Sequence, residues 1–373
     1  MSVDKIILYV MLGFMALGGI DFFIGKKLGL GIKYEEGFMA MGALTMNMAG
    51  AVCIAPVLGV WLRPILAPVF EVFGASPAMF ATSILACDMG GLPLARELAG
   101  GDVNAANFAG MILGSMMGPT IVFSIPVGLG IIKVEDRPFL GKGILIGLCT
   151  IPLGCLAGGA VAGYNFVWML KNLIPVIIFA AIIVIGLVFF QKIMINIFLW
   201  FGRFIVAFLT LSLVIAGIEY FGDVTIISAV DKLSGLKVGM DSIEEAFIVV
   251  GQIAVVLAGA YVLVSLLIKF LGKPLEKVGG LMGVNKDAAA GLVATLANNI
   301  AMFQIMKDMD DRGKVINVAF AVSAAFVFGD HLGFCGGNAP DMISAMVVGK
   351  LVGGITAVAL ALLFVPKKKA VAA

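Results

Sequence analysis

The chain is built from long apolar stretches separated by short polar ones. An apolar run of about 20 residues can cross the hydrocarbon core of a membrane as an α-helix. Such runs recur from one end of the sequence to the other, and they predict an all-α polytopic membrane protein with nine spanning helices. The predicted spans are 5–25, 37–62, 103–133, 137–163, 166–190, 193–221, 245–272, 313–335 and 340–365.

Two further apolar segments, at about 77–97 and 286–306, carry polar residues at their centres. The first contains Asp88 followed by Gly90-Gly91, and the second contains the adjacent amides Asn298 and Asn299. Glycine releases backbone polar groups that lipid cannot satisfy, whereas a water-lined site can. We therefore predict that both interrupted segments are broken helices or re-entrant hairpins, each entering and leaving the membrane on one side.

Similar features recur in the two halves of the chain at an offset of roughly 210 residues. The matched pairs are Glu36 with Glu245, Asp88 with Asn298, Asn107 with Asn317, and Lys142 with Lys350. Paired interrupted segments at matching places in two halves mark the binding site of many transporters. We predict a first repeat over 1–164, a linker helix over 165–191 and a second repeat over 192–373. Chance similarity between two apolar halves is the alternative.

The distribution of basic residues predicts the topology, because cytoplasmic loops carry an excess of Lys and Arg. If both interrupted segments are re-entrant, most of the 25 Lys and Arg residues fall on one face. The N-terminus then lies outside, the C-terminus lies inside, and the two repeats are inverted. The basic residues on the opposite face are Lys5, Arg63, Arg96, Lys171, Lys232 and Lys237.

Composition excludes several classes of function. Hydrophobic residues make up 61% of the chain and charged residues only 13%, against about 25% charged in soluble domains. The net charge of +2, with a single basic run at Lys367–Lys369, argues against a nucleic-acid partner. No metal-ligand spacing or nucleotide motif occurs, so we expect no enzyme, cofactor or metal. Nothing in the sequence places Cys87 and His331 together as a nucleophile and base.

Two carboxylates inside apolar segments, Asp88 and Asp330, are the main candidates for a binding site. A charge at mid-bilayer costs about 2.5–3.5 kcal/mol, so such residues usually line a cavity. The amides of Asn298 and Asn299 could receive a hydroxyl, an ammonium group or an ion. The structural alternatives are that Asp88 pairs with another helix and that the two Asn residues cap a broken helix.

Aromatic and hydroxyl side chains complete the candidate set. Phe123 and Phe303 offer ring faces to a cation, and the repeat places Thr120 opposite Asp330. His331 adjoins Asp330, but neighbouring helical residues point about 100° apart. We therefore expect the two not to act as a pair. This set of side chains suits a small organic cation.

The same residues resemble the EutH family of bacterial ethanolamine permeases. The resemblance implies movement of protonated ethanolamine across the inner membrane for its catabolism, through a carrier or facilitator. Proton coupling, sodium coupling and neither stay open, and by analogy with hairpin carriers we expect a homo-oligomer, with a dimer favoured. The alternative is a membrane sensor or scaffold that binds the amine without moving it. The matching strings include EEGFMAMGAL (35–44), LACDMGG (85–91), LGSMMGPTIVFSIPV (113–127), VATLANNI (293–300) and GDHLGF (329–334).

Overall fold

The computed structural model describes residues 2–231 and 235–365. Within these ranges, eight helices are long and apolar enough to cross a membrane. The chain is thus an all-α polytopic membrane protein, apart from one antiparallel pair of short strands, β1 (Ser228–Val230) and β2 (Lys237–Gly239). Lys232 and the Lys367–Lys369 run lie outside the described residues.

The first half of the chain alternates continuous and interrupted helices. Two continuous helices then lead to the second half: α7, which contains Pro175, and α8. The elements are α1 (Val3–Phe23), α2 (Leu30–Glu71), α3 (Ala78–Ile84), α4 (Leu92–Ala99), α5 (Val103–Ile131), α6 (Arg137–Val161), α7 (Phe166–Phe189) and α8 (Gln191–Gly222).

The second half follows the same order as the first: a long helix, two interrupted segments and a continuous helix. The predicted span 313–335 is not one helix, because α12 ends at Ala324 and α13 begins at Asp330. This break explains why eight spans are found where nine were expected. The elements are α9 (Ile243–Met282), α10 (Lys286–Ala297), α11 (Asn299–Ile305), α12 (Asp311–Ala324), α13 (Asp330–Asn338) and α14 (Ile343–Phe364).

Helix α5, predicted as the span 103–133, is irregular along its length. It contains π-helical turns at Phe108–Ile112 and Thr120–Ser124 and a 3-10 turn at Leu113–Ser115. At Met116 the backbone leaves helical geometry, with φ −122°. Such distortions free backbone carbonyls for other partners. The same helix is almost entirely buried inside the protein.

The two halves meet where α6 packs against α14. A Cβ atom on Gly154 would lie 2.6 Å from the carbonyl oxygen of Gly349, so the two backbones approach as closely as glycine allows. The hydroxyl of Thr150 donates a hydrogen bond of 3.0 Å to the carbonyl of Gly353. Small residues at such crossings are the usual means of close helix packing in membranes.

Hydrogen bonds at the ends of the interrupted segments show which parts of the chain those ends contact. In the second segment, the residues flanking both ends meet directly, because the backbone N–H of Asn285 donates to Asp310 at 2.8 Å. In the first segment, the N–H of Ser76 donates to Asn172 at 2.8 Å. At its other end, Arg96 donates to the carbonyl of Asn338 at 3.0 Å.

Candidate functional site: a carboxylate-lined cavity at the helix breaks

The first interrupted segment breaks immediately before Asp88. Helix α3 ends at Ile84, and Leu85 and Ala86 are extended, with ψ angles of 140° and 151°. A π-helical turn over Cys87–Gly91 follows, in which Gly90 has φ +91°. L side chains are strained at that φ, which glycine tolerates. The turn directs the Asp88 side chain towards the interior of the protein.

The break between α12 and α13 is held by the break between α10 and α11. Phe326 adopts φ +64°, an uncommon conformation for a residue with a side chain. Its N–H donates to the carbonyl of Thr295 at 3.1 Å, and the N–H of Phe328 donates to Leu296 at 2.9 Å. The backbone groups that the two breaks release therefore satisfy each other, as a lipid environment requires. This junction sets the position of Asp330 at the start of α13.

These breaks surround a cavity of about 170 Å³, which we call the central cavity. Its polar lining consists of two carboxylates, an imidazole, a phenol and an amide, and two phenylalanine rings close another side. The side chains concerned are Asp88, Asp330, His331, Tyr261, Asn47, Phe123 and Phe326.

Hydrogen bonds and short contacts fix several of these groups. The hydroxyl of Tyr261 donates to Asp330 Oδ1 at 2.5 Å, and His331 Nε2 lies 3.9 Å from Asp88 Oδ1. The other imidazole nitrogen, Nδ1, lies 3.0 Å from Nζ of the buried Lys350. The two carboxylates therefore have different partners, a phenol for Asp330 and an imidazole for Asp88.

The two rings pack on each other and on the imidazole. Phe123 and Phe326 meet edge to face with centroids 5.6 Å apart, and Phe326 lies 5.1 Å from the His331 ring. A cation within about 6 Å of such a ring centroid is attracted by the ring face. The cavity can therefore hold a small cation between carboxylates and aromatic rings.

A second cavity of about 280 Å³, which we call the side cavity, adjoins the first. Tyr261 lines both cavities, so its side chain stands between them. The remaining lining is polar at one end, with Glu36 ion-paired to Lys33 at 2.6 Å. The side cavity is lined by Lys33, Glu36, Tyr261, Val264, Ser265, Ala297 and Asn298.

Comparison with known proteins decides the family of this chain. The family model described as "Ethanolamine utilisation protein, EutH" matches residues 3–364. The chain belongs to the EutH family. It is 56% identical over 359 residues to "Probable ethanolamine permease EutH" of Listeria monocytogenes, covering 96% of this chain and 93% of that one. It is 49% identical to the protein of the same name from Escherichia coli K12, covering 100% and 98%.

A third relative carries no functional name: the "Uncharacterized protein YxeR" of Bacillus subtilis is 43% identical over 370 residues. No solved structure matches the chain. Family membership confirms the resemblance read from the motifs, and it indicates a transporter and not an enzyme. Because no solved structure matches, the central cavity of this EutH-family protein is interpreted from its own geometry.

Three of the seven predicted site residues line the central cavity: Asp88, Asp330 and Phe123. Asn298 lies in the side cavity, where its side chain caps α11 by accepting from the N–H of Ile300 at 2.8 Å. Asn298 therefore caps a broken helix, as the structural alternative proposed, and its side chain also lines the side cavity.

The other three predicted residues pack away from the central cavity. Asn299 is fully buried and donates to Ser124 at 2.7 Å. The hydroxyl of Thr120 donates to the carbonyls of Met116 and Val322 at 2.8 and 3.2 Å, which ties α5 to α12. The remaining residue, Phe303, is buried against Gly128.

Two residues that line the central cavity, Asn47 and Tyr261, and one beside it, Lys350, were not among the predicted site residues. Asn47 lies in a π-helical turn (Thr45–Ala49) inside α2, a distortion that often marks functional sites. Lys350 lies within the predicted span 340–365, and an ionisable residue inside a membrane span is a candidate functional residue. Tyr261 lies in the middle of α9, and no sequence feature distinguished it from the other residues of that apolar helix.

The structure places His331 beside two residues that the sequence could not bring to it. Asp330 and His331 both line the central cavity, because they occupy the first turn of α13, beside the break. The structure also brings Cys87 and His331 together: ligand atoms of Cys87, Asp88 and His331 all lie within 4.8 Å of one another. These are metal-ligand types, but the neighbouring Lys350 ammonium already supplies positive charge, so we assign no metal here.

Proposed function

We propose that this protein carries protonated ethanolamine across the bacterial inner membrane, as a carrier or facilitator, and binds it in the central cavity. The observation that carries the proposal is that Asp88 and Asp330, on different broken helices, border one small cavity. Relatives that cover nearly the whole chain are named probable ethanolamine permeases, which supports the same substrate.

Each part of the substrate has a matching group in the cavity. The ammonium suits Asp88, with the faces of Phe123 and Phe326 beside it, while the hydroxyl suits the amide of Asn47. At about 4 Å and an effective dielectric constant near 20, an ion pair contributes roughly 4 kcal/mol before desolvation. Desolvation offsets much of this, so binding is modest and the substrate can leave on the other side.

We infer that the two halves are inverted repeats, over 1–164 and 192–373, with the helix over 165–191 between them. Contacts at the segment ends support this arrangement, because those of the first segment reach Asn172 and Asn338, on the face expected to be outside. The flanks of the second segment meet each other through Asn285 and Asp310, on the opposite face. Rocking of one repeat against the other would expose the central cavity alternately. The homodimer and the choice of coupling ion stay predictions.

Uptake of radiolabelled ethanolamine into proteoliposomes tests this function. The external medium is kept acidic, because the neutral amine crosses bilayers unaided, and proton and sodium gradients are imposed separately. Protein-dependent uptake is expected, and accumulation above the external concentration under one gradient identifies the coupling ion. Binding of ethanolamine without any stimulated uptake would refute transport and favour the sensor or scaffold.

Tyr261→Phe is expected to raise the ethanolamine concentration for half-maximal uptake by about tenfold. The substitution keeps the ring but removes the hydroxyl that holds Asp330, and hydrogen bonds to charged groups contribute about 1.5–3 kcal/mol. Initial uptake rates over a range of substrate concentrations measure the effect. Tyr220→Phe is the matched control, since Tyr220 contacts Glu244 away from both cavities. Equal behaviour of the two variants would show that the Tyr261 hydroxyl does not position Asp330.

A further inference from the structure

A lysine lies buried beside the central cavity without a carboxylate partner. Lys350, on α14, is only 1% exposed. Its Nζ donates to the carbonyl of Ser115, which the irregular part of α5 leaves free, and contacts His331 Nδ1. Among the ion pairs of the described residues, none involves Lys350. Its counterpart in the first half, Lys142 on α6, is exposed.

The contact with Lys350 determines the state of His331. With Lys350 as an ammonium, which has donors only, His331 Nδ1 accepts, and the neutral imidazole carries its proton on Nε2. That Nε2–H faces Asp88 Oδ1 at 3.9 Å. Lys350 and Asp88 therefore lie beside opposite nitrogens of one imidazole ring. The other titratable group near this array, Cys87, is a buried thiol and adds no charge.

These groups fix the net charge around the cavity. With Asp88, Asp330 and Lys350 in their charged forms, the cavity carries two negative charges and one positive charge, while a neutral His331 and Tyr261 add none. One negative charge is left, which a single monovalent cation neutralises. Without Lys350 the surplus would be two, and buried uncompensated charge is expensive.

We propose that Lys350 is a specificity-determining residue: it balances one of the two carboxylates, so that the cavity prefers a singly charged amine to a doubly charged one. The proposal rests on the proposed function, in that the central cavity is taken as the binding site. In this role Lys350 selects the charge of the ligand without contacting the substrate.

The test compares ethanolamine with 1,2-diaminoethane, which replaces the hydroxyl by a second amine, at pH 6, where both its amines are largely protonated. Binding of radiolabelled ethanolamine to purified protein in nanodiscs is competed with each unlabelled compound. Wild type and the exposed-site control Lys142→Met are expected to prefer ethanolamine by at least tenfold. Lys350→Met is expected to shift this ratio at least tenfold towards the diamine, while Lys350→Arg, which keeps the charge, shifts it less.

Each outcome has a defined meaning. A folded Lys350→Met protein that binds with the wild-type ratio would overturn the proposal. If Lys350→Met does not fold, the wild-type protein decides: no preference for ethanolamine over the diamine overturns the proposal, and a preference of at least tenfold supports it. Failure of wild type to bind ethanolamine at all would instead refute the proposed function.

Discussion

Asp88→Asn is expected to lower protein-dependent ethanolamine uptake at low external substrate at least tenfold. The amide preserves the size of the side chain but removes a charge that directly borders the central cavity. An ion pair of roughly 4 kcal/mol before desolvation leaves a net loss of at least about 1.4 kcal/mol, or tenfold in affinity. Asp330 remains, but Tyr261 already engages it.

The control for this variant is Asp102→Asn. Asp102 caps the first turn of α5 by accepting from the N–H of Ala105 at 3.0 Å, and Asn caps helices equally well. Both variants are expected to reach the membrane in wild-type amounts, because Asp88 has no hydrogen bond that the fold requires. Normal uptake by Asp88→Asn at low substrate would remove Asp88 from the binding site.

The interrupted segments could be predicted from sequence because their signals are local. Gly90, Gly91 and the adjacent amides at 298 and 299 are residues that cannot sit comfortably in a lipid-facing helix, and the helices do break beside them. The family was equally accessible, since its motifs are contiguous strings. Asp88 and Asp330 were identified by a physical rule, the cost of charge in a membrane, and both border the central cavity.

The break before Asp330 could not be predicted, because its cause is not local. The sequence Ala325-Phe326-Val327-Phe328 is apolar and typical of a helix interior. It forms turns instead of continuing the helix, and the N–H groups of Phe326 and Phe328 donate to the carbonyls of Thr295 and Leu296, some 30 residues away. The sequence also could not show that His331 lines the central cavity together with Asp330. Both residues lie in the first turn of α13, directly after this break. Contacts of Lys350 and Tyr261 likewise cross between elements.

Gly118→Ala is expected to reduce uptake at least tenfold and to lower the thermal unfolding temperature. Gly118, in α5, lies against the break that positions Asp88: a Cβ there would overlap the carbonyl of Leu85 and lie 2.6 Å from the N atom of Ala86. Both are backbone atoms of the extended turn, so no side-chain rotation relieves the overlap. Overpacking of this kind typically costs 1–3 kcal/mol.

The matched control is Gly130→Ala, because Gly130 lies on the same helix with no atom within 4 Å of its added Cβ. That variant is expected to transport normally. Uptake into proteoliposomes and thermal unfolding followed by tryptophan fluorescence measure both effects. A Gly118→Ala protein that unfolds at a lower temperature but transports normally would show that the break tolerates displacement. The position of Asp88 would then not depend on close contact with α5. Loss of uptake in Gly118→Ala but not in Gly130→Ala would instead show that substrate binding depends on the geometry of the turn at Leu85–Ala86.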